Sequence, residues 1–121
     1  MIMKILKKLC LVVMPLFLFC IQSVFAYVEQ DVALVHIMDK AAGKTQVVSI
    51  KVGETVKYDG LNIKVQNCKK SDDFEAENFF AFLQIYTKAD KRIFSGWMNR
   101  NEPGQNPLQD DTYDVWLERC E

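Results

Sequence analysis

The sequence predicts an all-β protein, a small antiparallel β-sandwich or barrel of about seven strands. Short runs of β-branched and aromatic residues recur along the chain, and turn-forming residues separate them. No segment beyond residue 26 has the apolar spacing of an amphipathic helix. Short strands joined by tight turns at this spacing are typical of sandwiches and small barrels.

The chain begins with the three parts of a secretory signal peptide. Met1–Lys8 contains lysines and no acidic residue, Leu9–Ile21 is apolar, and Gln22–Ala26 ends in a small residue. A basic head, an apolar core and a small residue before the cleavage site direct export and cleavage. We predict cleavage after Ala26, which leaves a single β domain over residues 27–121 outside the cytoplasm.

Two alternatives to a cleaved signal are a permanent membrane anchor and a lipidated cysteine. The apolar run is shorter than the ~20 residues of a transmembrane helix, and Pro15 interrupts it. Cys20 follows the bulky Phe19, whereas lipidation requires a small residue there. Both observations favour cleavage, so we expect no stable membrane span after processing.

Seven segments of the remaining chain have strand character. In order they are Val32–Met38, Thr45–Val52, Thr55–Tyr58, Leu61–Val65, Phe79–Thr87, Arg92–Met98 and Tyr113–Cys120. Alternation predicts the inward-facing residues of the fourth and seventh segments, which are Leu61, Ile63, Val65, Tyr113, Val115 and Leu117. The fifth segment is apolar on both faces, which predicts a central strand covered on both sides.

Turn and loop residues separate these segments. Asp59-Gly60 predicts a two-residue hairpin of type I′, because both positions of that turn need a positive φ. Gly96 predicts a bulge or a close approach of another backbone within its strand. The charged Lys69–Asn78 and the proline-containing Asn99–Thr112 are predicted to be loops.

Two cysteines, Cys68 and Cys120, remain after cleavage. An oxidising compartment favours disulfides, and two cysteines allow only one intramolecular pairing. A bond closing a loop of about 50 residues would contribute roughly 4 kcal/mol in the chain-entropy model. The alternative is a pair of free buried thiols. A redox role is not expected, since the chain has no CxxC spacing.

The composition argues against several classes of function. Cleavage removes three lysines and no acidic residue, which leaves 12 basic against 16 acidic residues and a net charge near −4. Nucleic-acid binding is not expected, because no basic block remains to neutralise phosphates. One histidine and two paired cysteines are too few ligands for zinc, so we predict no metal site and no cofactor.

Few residues are candidates for catalysis. His36, the single histidine, lies in an apolar strand, and we interpret it as a surface or edge-strand residue rather than half of a catalytic pair. Asp110, Asp111 and Asp114 form an acidic cluster without the spacing of an EF-hand. We interpret the cluster as a solvated junction between loop and strand. The alternative is a pair of hydrolytic carboxylates.

Large apolar residues flank the proline-containing loop and form the predicted binding site. They are Trp97, Met98, Tyr113 and Trp116. Aromatic residues on a sheet are usually core, but Trp116 has an outward register between two acidic residues. A half-exposed tryptophan with a charged rim is typical of an interface anchor. Long loops on a rigid scaffold also often carry function.

The order of motifs VGETVKYDGLNIKVQNC, FSGWM, NPL and YDVWLERC resembles a family of small exported proteins. Such proteins are found chiefly in alphaproteobacteria and are catalogued as a domain of unknown function. The resemblance extends from Val35 to Cys120. It implies a periplasmic location and the pairing of Cys68 with Cys120, and it implies no activity.

We therefore expect a binding or interaction module of the cell envelope rather than an enzyme. Its partner would be an envelope protein or peptide that docks on Trp97, Trp116 and the Asn99–Thr112 loop. One alternative is a small periplasmic hydrolase that uses the Asp110–Asp114 carboxylates. Another is a structural or assembly component that acts through its sheet edges. Two buried indoles would remove the docking surface.

Overall fold

The computed structural model describes residues 27–121, which form eight β-strands and no helix. The strands are β1 (Tyr27–Glu29), β2 (Val32–Asp39), β3 (Lys44–Lys51), β4 (Thr55–Tyr58), β5 (Leu61–Ser71), β6 (Phe79–Thr87), β7 (Arg92–Asn99) and β8 (Tyr113–Cys120). The predicted all-β class is confirmed, and β1 is the strand that the prediction missed. The predicted signal peptide over residues 1–26 lies outside the described residues.

The strands pair antiparallel in two sheets. The first sheet has the order β1-β5-β6-β7, and β4 also pairs with β5. The second sheet has the order β3-β2-β8. Strands β7 and β8 therefore each form one edge of their own sheet. Across residues 27–121, no helix has the length and apolar character needed to cross a membrane.

One hydrophobic core within the described residues joins the inner faces of both sheets. Its fully or almost fully buried members include Val35, Ile37, Ile50, Leu61, Ile63, Val65, Leu83, Ile85, Val115 and Leu117. The inward residues predicted from alternation in β5 and β8 are confirmed. Full burial of an aliphatic side chain of this size stabilises the fold by about 1.5–3 kcal/mol.

Strand β6 is central in the first sheet, but only one of its faces is fully buried. Phe79, Ala81, Leu83 and Ile85 are buried, whereas the alternate residues are half-buried. The prediction of coverage on both sides is wrong, because the second sheet packs against one face alone. The outer face is covered instead by edge-on contacts between neighbouring rings, such as Phe82 against Trp97 at 5.5 Å.

The loop predicted at Lys69 begins later than expected. Strand β5 continues to Ser71 because two strands pair with its end. β1 lies on one side, with Tyr27 opposite Ser71, and β6 lies on the other, with Phe79 opposite Lys70. A register shift between Val65 and Asn67 marks a bulge in this long strand. Polar composition suggested a loop here, but pairing on both sides satisfies the backbone groups and extends the strand.

The hairpin predicted at Asp59-Gly60 is confirmed, since Tyr58 pairs with Leu61. Asp59 has a φ of 49°, but Gly60 does not have a positive φ, so the predicted type I′ turn is wrong. A larger residue at position 60 would meet the side chain of Tyr113, which would have to shift by a few tenths of an ångström. A Cβ there would lie 3.0 Å from the hydroxyl oxygen of Tyr113, which packs over the turn.

The disulfide between Cys68 and Cys120 is confirmed, with a Cα–Cα distance of 5.7 Å and a sequence separation of 52 residues. Both cysteines are buried in the core. The bond joins β5 of the first sheet to β8 of the second, and it therefore holds the two layers together near the end of the chain.

Candidate functional site

A cleft of about 420 Å³ lies between the edge strands β7 and β8, beneath the loop that connects them. Residues from β7, from the loop and from β8 line it, and they include Met98, Pro103, Asn106, Pro107, Val115 and Trp116. Ligand clefts in proteins are typically about 300–1,000 Å³ and are mostly apolar with a few placed polar groups. The size and lining of this cleft fit that description.

The loop over the cleft is held against β7 by Asn106. Its side-chain Nδ2 donates a hydrogen bond of 3.2 Å to the carbonyl oxygen of Trp97. A Cβ at Gly96 would lie 2.6 Å from the same Nδ2. The predicted close approach at Gly96 therefore occurs, but the approaching group is a side chain rather than a backbone. Leu108, which is buried, provides a second anchor for the loop.

Asp110 holds the other end of the loop. Its Oδ2 accepts hydrogen bonds from the backbone N–H groups of Thr112 and Tyr113 at 3.1 and 2.9 Å. Its carbonyl oxygen accepts a bond of 2.6 Å from Lys40 Nζ. Asp110 is therefore engaged in positioning the start of β8, where local carboxylate-to-backbone bonds stabilise a turn.

The three predicted acidic residues do not converge. Asp110 caps the turn, Asp111 is exposed, and of the three only Asp114 lines the cleft. Within residues 27–121, no group of three or more histidine, cysteine or acidic residues is placed to hold a metal ion.

Tyr113 and Met98 belong to the core. Met98 is 6% exposed and reaches the cleft from its floor. Tyr113 is 9% exposed, and its hydroxyl bonds to the β4–β5 turn. The hydrogen bond to Asp59, together with burial, raises the pKa of Tyr113 above its usual value. These two predicted binding residues thus support the site from below, and Tyr113 does not line the cleft.

Trp116 lies half-buried on the outer face of β8, where it lines the cleft. The ring of His36 stacks on it with centroids 4.9 Å apart and an interplanar angle of 11°. His36 Nε2 lies 3.6 Å from Glu118 Oε1. His36 was predicted to be a surface or edge-strand residue, and the edge-strand alternative is wrong, because β2 pairs with β3 on one side and β8 on the other. The stack restricts the indole orientation at the cleft.

Trp97 belongs to a different surface. Its side chain is 42% exposed, it contacts Phe82 edge-on, and Lys69 Nζ lies 5.3 Å from its ring centroid. These residues lie on the outer face of the first sheet, and Trp97 does not line the cleft. Neither indole is buried, but the two do not share one pocket.

Asn106 and the prolines were not predicted as individual site residues. The NPL motif, Asn106 to Leu108, was the available signal, since it combines a polar residue, a rigid residue and an apolar residue inside a long loop. The sequence could not predict that this loop lies close to the β8 edge, because that depends on how the two sheets pack.

A family model described as "Uncharacterized protein conserved in bacteria (DUF2155)" matches residues 33–120. No curated protein and no solved structure matches the chain.

Proposed function

The chain belongs to this family of uncharacterized bacterial proteins, and we propose that it is a periplasmic binding module that docks a peptide segment of an envelope protein. The docking site is the cleft between β7 and β8. The observation that carries this proposal is the position of Trp116, half-buried at the cleft beside Asp114. Tryptophan in a partly desolvated pocket is among the commonest binding hot spots.

The cleft is built to be present before a ligand arrives. Asn106 attaches the loop to the first sheet, Leu108 is buried in the core, and Asp110 attaches the loop to the start of β8. The stack with His36 restrains Trp116. A preorganised site loses less conformational entropy on binding than a flexible one, which favours recognition over simple surface exposure.

Export is the second part of the proposal. Residues 1–26 have the composition of a signal peptide, and the Cys68–Cys120 disulfide is the kind of bond that oxidising compartments favour. The processed chain would be a single β domain over residues 27–121. The resemblance to small exported proteins of alphaproteobacteria supports a Gram-negative periplasm as the location.

The hydrolase alternative gains no support from the cleft. Glycoside chemistry, for example, needs two carboxyl groups on either side of the scissile bond. Of Asp110, Asp111 and Asp114, the cleft contains only Asp114. An assembly component that acts through a sheet edge is compatible with docking at this cleft, so we treat it as a form of the same function.

Site-directed photocrosslinking tests the proposal. A photoreactive residue replacing Gly104 would sit at the cleft, where an added side chain meets no atom within 4 Å. The same residue replacing Ala42, which is exposed in the β2–β3 turn, is the positional control. We expect a periplasmic protein to crosslink at position 104 and not at position 42, with one contact peptide identified by mass spectrometry.

Two matched variants complete the test. Trp116→Ala should reduce the crosslink at least tenfold, as expected for a hot spot worth 2 kcal/mol or more. Trp97→Ala removes the other tryptophan, which does not line the cleft, and should leave the crosslink unchanged. Equal crosslinking at positions 42 and 104, or a yield unaffected by Trp116→Ala, would contradict docking at the cleft.

A further inference from the structure

The hydrogen-bond pattern of β8 shows which of its backbone groups are directed to its open edge. At its start, Lys40 N–H donates to Thr112 C=O at 2.9 Å. Bonded and non-bonded pairs alternate along an antiparallel ladder. Counting every second residue from Thr112, the bonded pairs are Asp114 with Met38 and Trp116 with His36, so these two residues of β8 bond to β2. Val115 and Leu117 therefore direct their N–H and C=O groups away from β2.

Val115 and Leu117 also line the cleft, and β8 pairs with β2 alone among the described residues. Each of the two residues presents one donor and one acceptor on the cleft side. Backbone groups of this kind are strong hydrogen-bonding groups that are rarely left without a partner when they are shielded from water. Val115 and Leu117 are only 3% and 2% exposed, so these four backbone groups are shielded from water, and none has a hydrogen-bond partner among the described residues. An extended peptide in the cleft could pair with them.

The neighbouring edge strand is treated differently. On β7 the same alternation places Trp97 C=O at the open edge, and Asn106 Nδ2 already bonds to it. Proteins protect sheet edges because unpaired edges recruit other strands. The loop therefore bonds to one open-edge carbonyl of β7, whereas the outward backbone groups of Val115 and Leu117 on β8 have no hydrogen-bond partner among the described residues.

We propose that the bound segment is an extended strand that adds to the free edge of β8 and alternates apolar with basic residues. The inference rests on the proposed function and names the chemistry of its ligand. Main-chain hydrogen bonds to Val115 and Leu117 would supply affinity, and alternate side chains would supply specificity, as in other cases of β-strand addition.

The alternation follows from the two sides of β8. Ligand residues opposite Val115 and Leu117 share their inward side and enter the cleft, where Met98 and the loop prolines provide apolar contacts. Ligand residues opposite Asp114 and Trp116 lie on the outer side. Cross-strand neighbours on one face of a sheet interact directly, so side-chain chemistry should match pair by pair.

The outer side of β8 favours a cation. Asp114 makes no ion pair among the described residues, whereas Glu118 already lies 3.6 Å from both His36 Nε2 and Arg119. A lysine or arginine opposite Asp114 would gain a cross-strand charge pair and could lie over the Trp116 ring. The net charge near −4 of the chain after residue 26 adds long-range attraction for a basic segment.

Four synthetic peptides test this inference against the protein purified after export. The first alternates lysine and valine over eight residues, and the second replaces lysine with glutamate. The third and fourth are the first peptide with N-methyl groups on one or the other set of alternate backbone nitrogens. We expect binding of the first, at least tenfold weaker binding of the second, and loss of binding for the N-methyl peptide that blocks the paired face. Hydrogen exchange should slow at the amides of Val115 and Leu117.

Variants separate the charge contribution from folding. Asp114→Asn should weaken binding of the lysine peptide by up to about fivefold, the range expected for a cross-strand charge pair. Asp111→Asn, which changes an exposed carboxylate outside the cleft, should have no effect. Binding without protection of the Val115 and Leu117 amides, or equal affinity for the N-methyl peptides, would overturn strand addition.

The experiments distinguish failure of strand addition from failure of docking at the cleft. Crosslinking at position 104 together with no amide protection would leave the cleft as the docking site and reject the strand. A dimer formed through β8 in the absence of peptide, detected by native mass spectrometry, would also overturn the inference, because the edge would then serve a second copy of the chain.

Discussion

The hydroxyl group of Tyr113 donates a hydrogen bond of 2.5 Å to Asp59 Oδ2, although the two residues are 54 positions apart in the sequence. The same oxygen accepts the Gly60 N–H at 3.1 Å. Tyr113 begins β8, and Asp59 lies in the turn between β4 and β5. The bond therefore joins the second sheet to a hairpin of the first, on the strand that also borders the cleft.

This bond should make stability sensitive to alkaline pH. The pKa of Tyr113 is raised in the folded state, mainly by the bond to Asp59. Its stabilising contribution is therefore fully present below the unfolded pKa of about 10 and is lost as pH rises through the higher folded pKa. In urea denaturation, the alkaline fall in the free energy of unfolding should be smaller for Tyr113→Phe than for the wild type. Tyr86→Phe is the control and should keep the wild-type fall.

Gly96 and Asn106 should be energetically coupled. In Gly96→Ala the new methyl group displaces Asn106 Nδ2 and breaks its bond to Trp97 C=O. We expect a loss of about 0.5–1.5 kcal/mol in the free energy of unfolding, the usual net value of one hydrogen bond. In an Asn106→Ala background, Gly96→Ala should lower the free energy of unfolding much less. Additive effects in this double-mutant cycle would contradict the contact.

Removal of the disulfide should lower the free energy of unfolding, although the substitutions remove no charge and no large side chain from the core. For the double variant Cys68→Ala and Cys120→Ala, the chain-entropy model predicts a loss of roughly 4 kcal/mol. Urea denaturation of the wild-type protein with and without reductant provides the comparison. Reduced wild type and the double variant should unfold at similar urea concentrations, and a midpoint unaffected by reductant would contradict the role of the bond.

The stack of His36 on Trp116 should hold the indole at the cleft. The chain has two tryptophans, so in the Trp97→Phe variant all tryptophan fluorescence comes from Trp116. Adding His36→Ala should shift that emission to longer wavelength and destabilise the fold by about 0.5–1.5 kcal/mol, the range for aromatic pairs. Val47→Ala, which changes an exposed residue opposite His36 on β3, is the matched control and should leave the emission unchanged.

Processing should remove the first 26 residues. Mass spectrometry of the protein purified from a Gram-negative periplasm should find an amino terminus at Tyr27, as expected for a cleaved signal peptide. Ala26→Tyr, which places a bulky residue before the cleavage position, should block processing. An intact Met1 on exported wild-type protein would contradict the predicted cleavage.

The strands were predictable because alternation of apolar and polar residues reports which face of a sheet is buried. Leu61, Ile63 and Val65 show this clearly, as does β8. The extension of β5 to Ser71 was not predictable, since Lys69 and Lys70 have no apolar pattern and depend on pairing with β1 and β6. Similarly, the double-sided apolar pattern of β6 indicated two covering layers, whereas one face is covered only by neighbouring rings.

The candidate site was predictable in its parts and not in its arrangement. Trp116 and the proline-containing loop were identified because an outward tryptophan between acids and a long loop are local signals. Grouping Trp97 with Trp116 was a local inference too, and the two indoles lie on different surfaces. The sheet to which each strand belongs separates them, and that assignment is made by long-range pairing.

Sequence alone determined the all-β class and the core residues of β5 and β8, and it named the two cysteines that pair. These properties depend on local periodicity and on residue chemistry. Only the tertiary structure decided that β7 and β8 are neighbouring edges and that Asn106 bonds to a carbonyl of the first. It also decided that the outward backbone groups of Val115 and Leu117 on the second have no partner among the described residues. Those relationships arise from contacts between residues distant in the chain, which no local pattern records.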